Sequence, residues 1–127
     1  MSYIRHKSDE SMEDYLEAIL SLQKKNGNVR SIDIAQELGF TKPSVSVAMK
    51  SLREKDLIKM ADNGFITLTE AGLKKAEMVL ERHTLLSDWL ISLGVSPAVA
   101  LEDACRIEHD ISEETFSVLK KHCLNKQ

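Results

Sequence analysis

The sequence predicts a mainly α fold interrupted by one β-hairpin. Three observations predict it. Apolar residues recur at helical spacing along most of the chain; a short helical segment is separated from a longer one by Gly39; and two short β-like runs flank Asp62-Asn63-Gly64. At 127 residues there is room for one domain or two very small ones. Hydrophobic residues make up 43% and charged residues 29%, with five glycines and two prolines, a globular composition without low-complexity tracts. Apolar runs such as Ala98-Val99-Ala100-Leu101 are too short for a membrane span or a signal-peptide core, so a cytoplasmic location without a membrane partner is expected. In that compartment Cys105 and Cys123 are not expected to form a structural disulfide.

Met12, Leu16, Ile19 and Gln23, with Tyr15 and Leu22 beside them, predict an amphipathic helix over about 9–25, stopped by Asn26-Gly27-Asn28. Ser31 is the expected cap of a short helix over 32–38, closed by Gly39. Thr41 caps a third helix, with Pro43 in its first turn, running to about Lys55. Leu57-Ile58-Lys59-Met60 and Phe65-Ile66-Thr67-Leu68 are strand-like, and the Asn63-Gly64 pair between them is a hairpin signal. Thr69 caps a long helix to about Leu93, ended by Gly94. Ser96-Pro97 opens another to about His109, and Ser112 caps the last. Helix, helix, turn, helix and hairpin is the order of a winged helix-turn-helix. The expected division is a winged helix-turn-helix domain over 1–70 and an all-helical dimerisation domain over 71–127. The long helix carries two apolar stripes, Ala76, Val79, His83, Leu86, Leu90 and Leu93, and Met78, Leu85 and Trp89. A helix apolar on two sides in so small a protein calls for a second subunit.

The net charge of −3 is an average over unlike segments. Residues 41–59 carry five basic against two acidic side chains, whereas residues 102–114 carry six acidic against one basic. The basic stretch contains the helix after the turn, the element that enters the DNA major groove in helix-turn-helix proteins. Val45, Ala48 and Leu52 are expected to face the core, leaving Thr41, Lys42, Pro43, Ser44, Ser46, Val47 and Lys50 outward. The hydroxyls can meet base edges, and Pro43 and Val47 can touch thymine methyls. Lys50, Arg53 and Arg30 suit phosphates, and Lys59 and the hairpin tip at Asn63 can reach the flanking backbone. With no Arg, Asn or Gln in the first turns, direct readout is expected to be modest and DNA shape to matter.

A second set of residues has metal-ligand character. Asp14 and Glu17 share a face of the first helix, roughly opposite the Met12/Leu16/Ile19 stripe; alone, such a pair is commonly solvated. His83 lies on an apolar stripe, where a histidine bonded to a carbonyl is the plainer reading. Cys105, Glu108 and His109 fall on one helix face, and Cys105 and Glu108 continue the apolar line from Ala98 to Leu101. A carboxylate and an imidazole on an apolar stripe need compensation, which a divalent cation would supply. Thiolate, imidazole and carboxylate together suit Fe²⁺, Mn²⁺ or Zn²⁺, not an all-oxygen Mg²⁺ or Ca²⁺ site.

Four blocks carry a family resemblance: Ser11-Met12-Glu13-Asp14-Tyr15-Leu16-Glu17, Ser31-Ile32-Asp33-Ile34-Ala35, Arg82-His83-Thr84-Leu85-Leu86, and Ala104-Cys105-Arg106-Ile107-Glu108-His109-Asp110-Ile111-Ser112. In these blocks, and in their order over about residues 9–120, the chain resembles the diphtheria toxin repressor and manganese transport regulator family. The resemblance implies a homodimeric, metal-activated winged-helix repressor that binds palindromic operators and governs metal uptake. It implies ligand roles for Asp14, Glu17, His83, Glu108 and His109. Asp14 matches the manganese branch, since the iron branch has methionine there. Cys105 matches the iron branch, since the manganese branch has glutamate. The implied cofactor is Mn²⁺ or Fe²⁺, with Mn²⁺ slightly favoured and Zn²⁺ within reach of the donor set. Leu101 and Ser87 stand at two ancillary-site positions of the iron branch, so a separate ancillary site is not expected. A C-terminal SH3-like domain like that of the iron branch is not expected, as in the manganese branch.

The expected mechanism is a cation that ties the DNA-binding half to the dimer half. No organic cofactor is expected. The alternative is a winged-helix regulator responding to a small organic ligand, for which the Cys/Glu/His set would be incidental. An enzyme is disfavoured: there is no Glu-x-x-His pair for a di-iron bundle and no P-loop.

Overall fold

The computed structural model describes the backbone of residues 7–125 and the side chains of residues 12–123. Its elements are α1 (Lys7–Asn26), α2 (Ser31–Leu38), α3 (Lys42–Glu54), β1 (Ile58–Met60), β2 (Ile66–Leu68), α4 (Glu70–Ser92), α5 (Pro97–Asp110) and α6 (Glu113–Asn125). This is the expected mainly α winged helix-turn-helix followed by helices. The chain divides into two compact units, one reaching to Glu77 and the other starting at Met78.

In the first unit α1 packs against α2, α3 and β2. Its burial is wider than the predicted stripe. Ala18 and Leu20 are buried along with Tyr15, Leu16, Ile19 and Leu22. The wide buried arc fits a helix that α2, α3 and β2 contact from more than one side. The turn of the helix-turn-helix is set by Gly39, whose φ of 70° lets its N–H close onto the Ala35 carbonyl. The cap of α2 is Arg30, one residue before the predicted Ser31. The Asp33 carboxylate accepts the Arg30 N–H at 2.9 Å, a reach-back that Ser31 does not supply. Thr41 caps α3 as predicted, its Oγ1 accepting the Ser44 N–H at 3.3 Å.

β1 and β2 pair antiparallel, with Lys59 opposite Thr67. The turn closes through Gly64 N–H to the Ala61 carbonyl, and Asn63 Oδ1 accepts the Phe65 N–H. The hairpin gains a further bond that sequence did not foresee: Ile66 N–H donates to the carbonyl of buried Val29 at 2.7 Å. Thr69 Oγ1 both caps α4, accepting from Gly72 N–H at 3.1 Å, and donates to the Asp56 carbonyl at 2.7 Å. α4 therefore starts against the base of the wing. Gly72 permits this approach, because a Cβ there would lie 1.9 Å from the Leu57 carbonyl oxygen.

In the second unit the buried residues are Val79, Arg82, Leu86 and Ser87 on α4, Ala100, Ala104, Glu108 and His109 on α5, and Phe116 on α6. Met78, Ile91, Leu93, Val99, Leu101 and Val118 are exposed. The inward face of α5 runs Ala100–Ala104–Glu108, in steps of four, rather than along the predicted line through Ala98 and Leu101. In so short a helix the small alanines and the leucine offer competing faces, and packing selects the small one.

Candidate metal centre and nucleic-acid interface

The chemistry of the second unit converges on Glu108. This residue is 2% exposed, near the C-terminal end of α5. His83, reaching from α4, places Nδ1 3.0 Å from Glu108 Oε2. The buried His109, next along α5, places Nε2 3.5 Å from Glu108 Oε1. Both carboxylate oxygens are thus faced by imidazole nitrogens from two helices. Cys105, Glu108 and His109 each direct one donor atom to a common locus, the three lying within 4.8 Å of one another. Cys105 contributes its thiol from the exposed edge. Sulfur, nitrogen and oxygen donors at this spacing fit a transition-metal ion such as Mn²⁺, Fe²⁺ or Zn²⁺, because they mix soft and hard ligands.

Sequence reasoning missed Arg82. Its guanidinium is buried, and Nη1 donates to the carbonyls of Glu108 at 3.1 Å and Ile111 at 3.3 Å. It also lies over the Phe116 ring, 5.2 Å from the centroid. A signal existed: an arginine directly before the ligand-type His83, on a helix with few other charges facing inward. On the exposed side Lys120 pairs with Glu81 at 2.6 Å. Ser87 donates to its own helix through the Thr84 carbonyl, and Leu101 is exposed.

In the first unit Asp14 and Glu17 are half-buried on α1, and Oε2 of Glu17 is shielded from solvent. Neither side chain is fully exposed. Tyr15 next to Asp14 is buried edge-on against Phe40, with ring centroids 5.8 Å apart. Burial, and secondarily the charge of Asp14, pushes the Tyr15 phenol above its ordinary pKa of 10.0.

α3 presents Thr41, Lys42, Pro43, Ser44, Ser46, Val47 and Lys50 to solvent, as predicted. Its buried side is Val45, Met49 and Leu52, with Ala48 only half-buried, so Met49 takes the core position assigned to Ala48. The larger side chain fills the space that alanine cannot. Thr41 Oγ1 donates to Ser44 Oγ at 2.8 Å while accepting the Ser44 N–H. Its hydroxyl is engaged as a cap, and the Ser44 proton is the one left to face outward. Val47 is 71% exposed, an apolar group held out from the middle of the helix. Lys59 and Asn63 are exposed on the hairpin. Arg30 is stacked on Phe65, its guanidinium 4.5 Å from the ring centroid, which fixes a cation beside the wing.

The two halves of the chain match two models of one family. Residues 8–65 match the N-terminal DNA-binding domain of the iron dependent repressors, and residues 69–125 match their metal-binding and dimerisation domain. The transcriptional regulator MntR of Escherichia coli is 38% identical over 111 residues, covering 87% of this chain and 72% of that one. This chain belongs to the iron dependent repressor family. Another relative, the HTH-type transcriptional regulator MntR of Listeria monocytogenes, is 42% identical over 104 residues, covering 80% of this chain and 72% of that protein. Among solved structures, the manganese regulator SloR superposes with a TM-score of 0.79 at 27% identity, over 91% of this chain and 54% of that one. The chain thus spans about half the length of that family member. The N-terminal family match ends at Phe65 in the hairpin, and the C-terminal match opens at Thr69, the cap of α4. Among the described residues no helix is long and apolar enough to cross a membrane.

Proposed function

We propose that this chain is a cytoplasmic, metal-activated transcriptional regulator that binds palindromic DNA operators as a homodimer and represses metal-uptake genes. The observation that carries this reading is the buried Glu108 carboxylate faced by His83 and His109, with Cys105 beside them, in the half that matches a metal-binding and dimerisation domain. Domain 1–70 is the DNA-reading part and domain 71–127 the pairing part. The exposed Met78, Ile91, Leu93, Val99 and Leu101 supply apolar surface for a second copy.

His83, Cys105, Glu108 and His109 hold the cation, and Asp14 and Glu17 of the helix leading into the reading half join them. A bound Mn²⁺ or Fe²⁺ supplies the positive charge that lets these acidic groups share one site. Asp14, Glu17 and Glu108 otherwise repel one another when brought close. Cys105 shifts the preference toward the softer Fe²⁺ or Zn²⁺, and the α1 carboxylates toward Mn²⁺. Manganese is favoured here because the relatives named MntR and SloR include a protein described as a manganese regulator. Ser44, Ser46, Pro43 and Val47 meet base edges in the major groove, with Thr41 fixing the helix start. Lys42, Lys50, Arg30 and Lys59 meet phosphates. Metal at about 100 times its Kd favours the DNA-competent state by up to roughly 2.7 kcal/mol, about a hundredfold in operator affinity.

The test is operator binding against Mn²⁺, Fe²⁺ and Zn²⁺ under anaerobic conditions, for the natural chain, Asp14→Ala and Glu108→Ala. Metal should tighten binding by the natural chain, and both variants should lose that response. Affinity that ignores metal in all three proteins would refute the reading.

A further inference from the structure

We propose that Arg82 is a positioning residue for the metal centre: it presets the end of α5 so that Glu108 and His109 already face the cation locus before a cation arrives. This rests on the reading above that Glu108 and His109 are ligands. The last carbonyls of a helix lack partners within it. In α5 the Ile107 carbonyl is taken by the Ile111 N–H. The Glu108 carbonyl, one residue on, accepts from Arg82, as does the carbonyl of the cap residue Ile111. One guanidinium nitrogen therefore spans the point where α5 stops and the chain turns into α6. Phe116 of α6 supports the same guanidinium from its face.

The neighbouring residues Arg82 and His83 grip one amino acid from two sides. Arg82 holds the backbone of Glu108, and His83 meets its carboxylate at 3.0 Å. Fixing the backbone restricts where the carboxylate and the adjacent His109 ring can point. The ordering cost is then met on folding rather than on metal binding. A permanent cation at a helix C-terminus is also favourable against the helix dipole. Arginine suits this place because the two N–H bonds of Nη1 address two carbonyls while the planar guanidinium lies over a ring; lysine offers a point charge that cannot stack in the same way.

The experiment is a Mn²⁺ titration of the full chain, followed by the electron paramagnetic resonance of free Mn²⁺, for the natural protein, Arg82→Lys, Arg82→Met, Phe116→Leu and Glu108→Gln. Each measurement is made well below the melting temperature of that variant, so reduced global stability alone leaves the result unmoved. The visible absorption of bound Co²⁺ reports the ligand geometry independently. Arg82→Met is expected to bind Mn²⁺ about 10–100-fold more weakly, with altered Co²⁺ bands. Arg82→Lys should recover part of the loss, and Phe116→Leu should lose less than Arg82→Met. If Arg82→Met does not fold, Arg82→Lys and Phe116→Leu carry the comparison. Arg82 variants that bind Mn²⁺ like the natural protein, while Glu108→Gln does not, overturn the positioning role alone. A natural protein that binds no Mn²⁺, Fe²⁺ or Co²⁺ overturns the metal reading beneath it.

Discussion

Gly72→Ala offers a sharp test of how α4 is seated. In an exposed helix interior this change would stabilise by about 1 kcal/mol, since alanine restricts the unfolded chain and favours helix. At Gly72 the added Cβ would stand 1.9 Å from the Leu57 carbonyl oxygen and 2.9 Å from its carbon, where ordinary contact begins at 3.4 Å. Both partners are backbone, so no side chain can swing aside. The start of α4 must move off Leu57, and that carbonyl also accepts the Thr69 N–H at 3.0 Å. Overpacking of this kind costs about 1–3 kcal/mol, and a weakened hydrogen bond adds about 1 kcal/mol. The net expectation is a loss of about 1–3 kcal/mol, against the helix-propensity trend. For a domain of this size that is a fall in Tm of roughly 4–20 °C, read by far-ultraviolet circular dichroism. Gly94→Ala is the control: nothing lies within 4 Å of the place its Cβ would take, and only its φ of 109° opposes the change. A Gly72→Ala protein that melts at or above the natural Tm would refute the close seating of α4 on the wing base.

Three further expectations concern the reading half. Tyr15 ionises later in the folded chain than in the unfolded one, so as pH climbs past about 10 the unfolded chain releases its proton first and stability falls. Tyr15→Phe should lack that part of the alkaline loss, which thermal melts across the alkaline range will show. Thr41→Ala removes the α3 cap and should cost about 1 kcal/mol in denaturant melts; no change would mean the Thr41 hydroxyl is not the cap. Lys50→Ala should weaken operator and non-operator DNA alike and lower the salt slope of binding by about 1, whereas an unchanged slope would remove Lys50 from the phosphate contacts.

Much of the architecture was legible because local chemistry dictates it. Thr41 followed by Pro43, Gly39 between two helices, and Asn63-Gly64 between two β-like runs each act within a few residues of themselves. Cys105, Glu108 and His109 were legible as one face because helical geometry brings positions three and four apart together. The misses arose where a partner distant in sequence made the choice. Met49 in place of Ala48, the wide buried arc of α1 and the Ala100–Ala104 face of α5 depend on what packs against each helix. Arg82 was missed because its partners are main-chain carbonyls 26 and 29 residues away, and carbonyls carry no mark in the sequence.

The order of the elements, their caps and turns, and the types of donor atom available were therefore determined by sequence alone, since each depends on neighbours along the chain. Which helix faces turn inward, that His83 meets Glu108, and that a buried guanidinium fastens the end of α5 were decided only by tertiary structure. Packing selects among several apolar faces of similar hydrophobicity by shape and by the pairing of buried polar groups, and both depend on the other side of the contact.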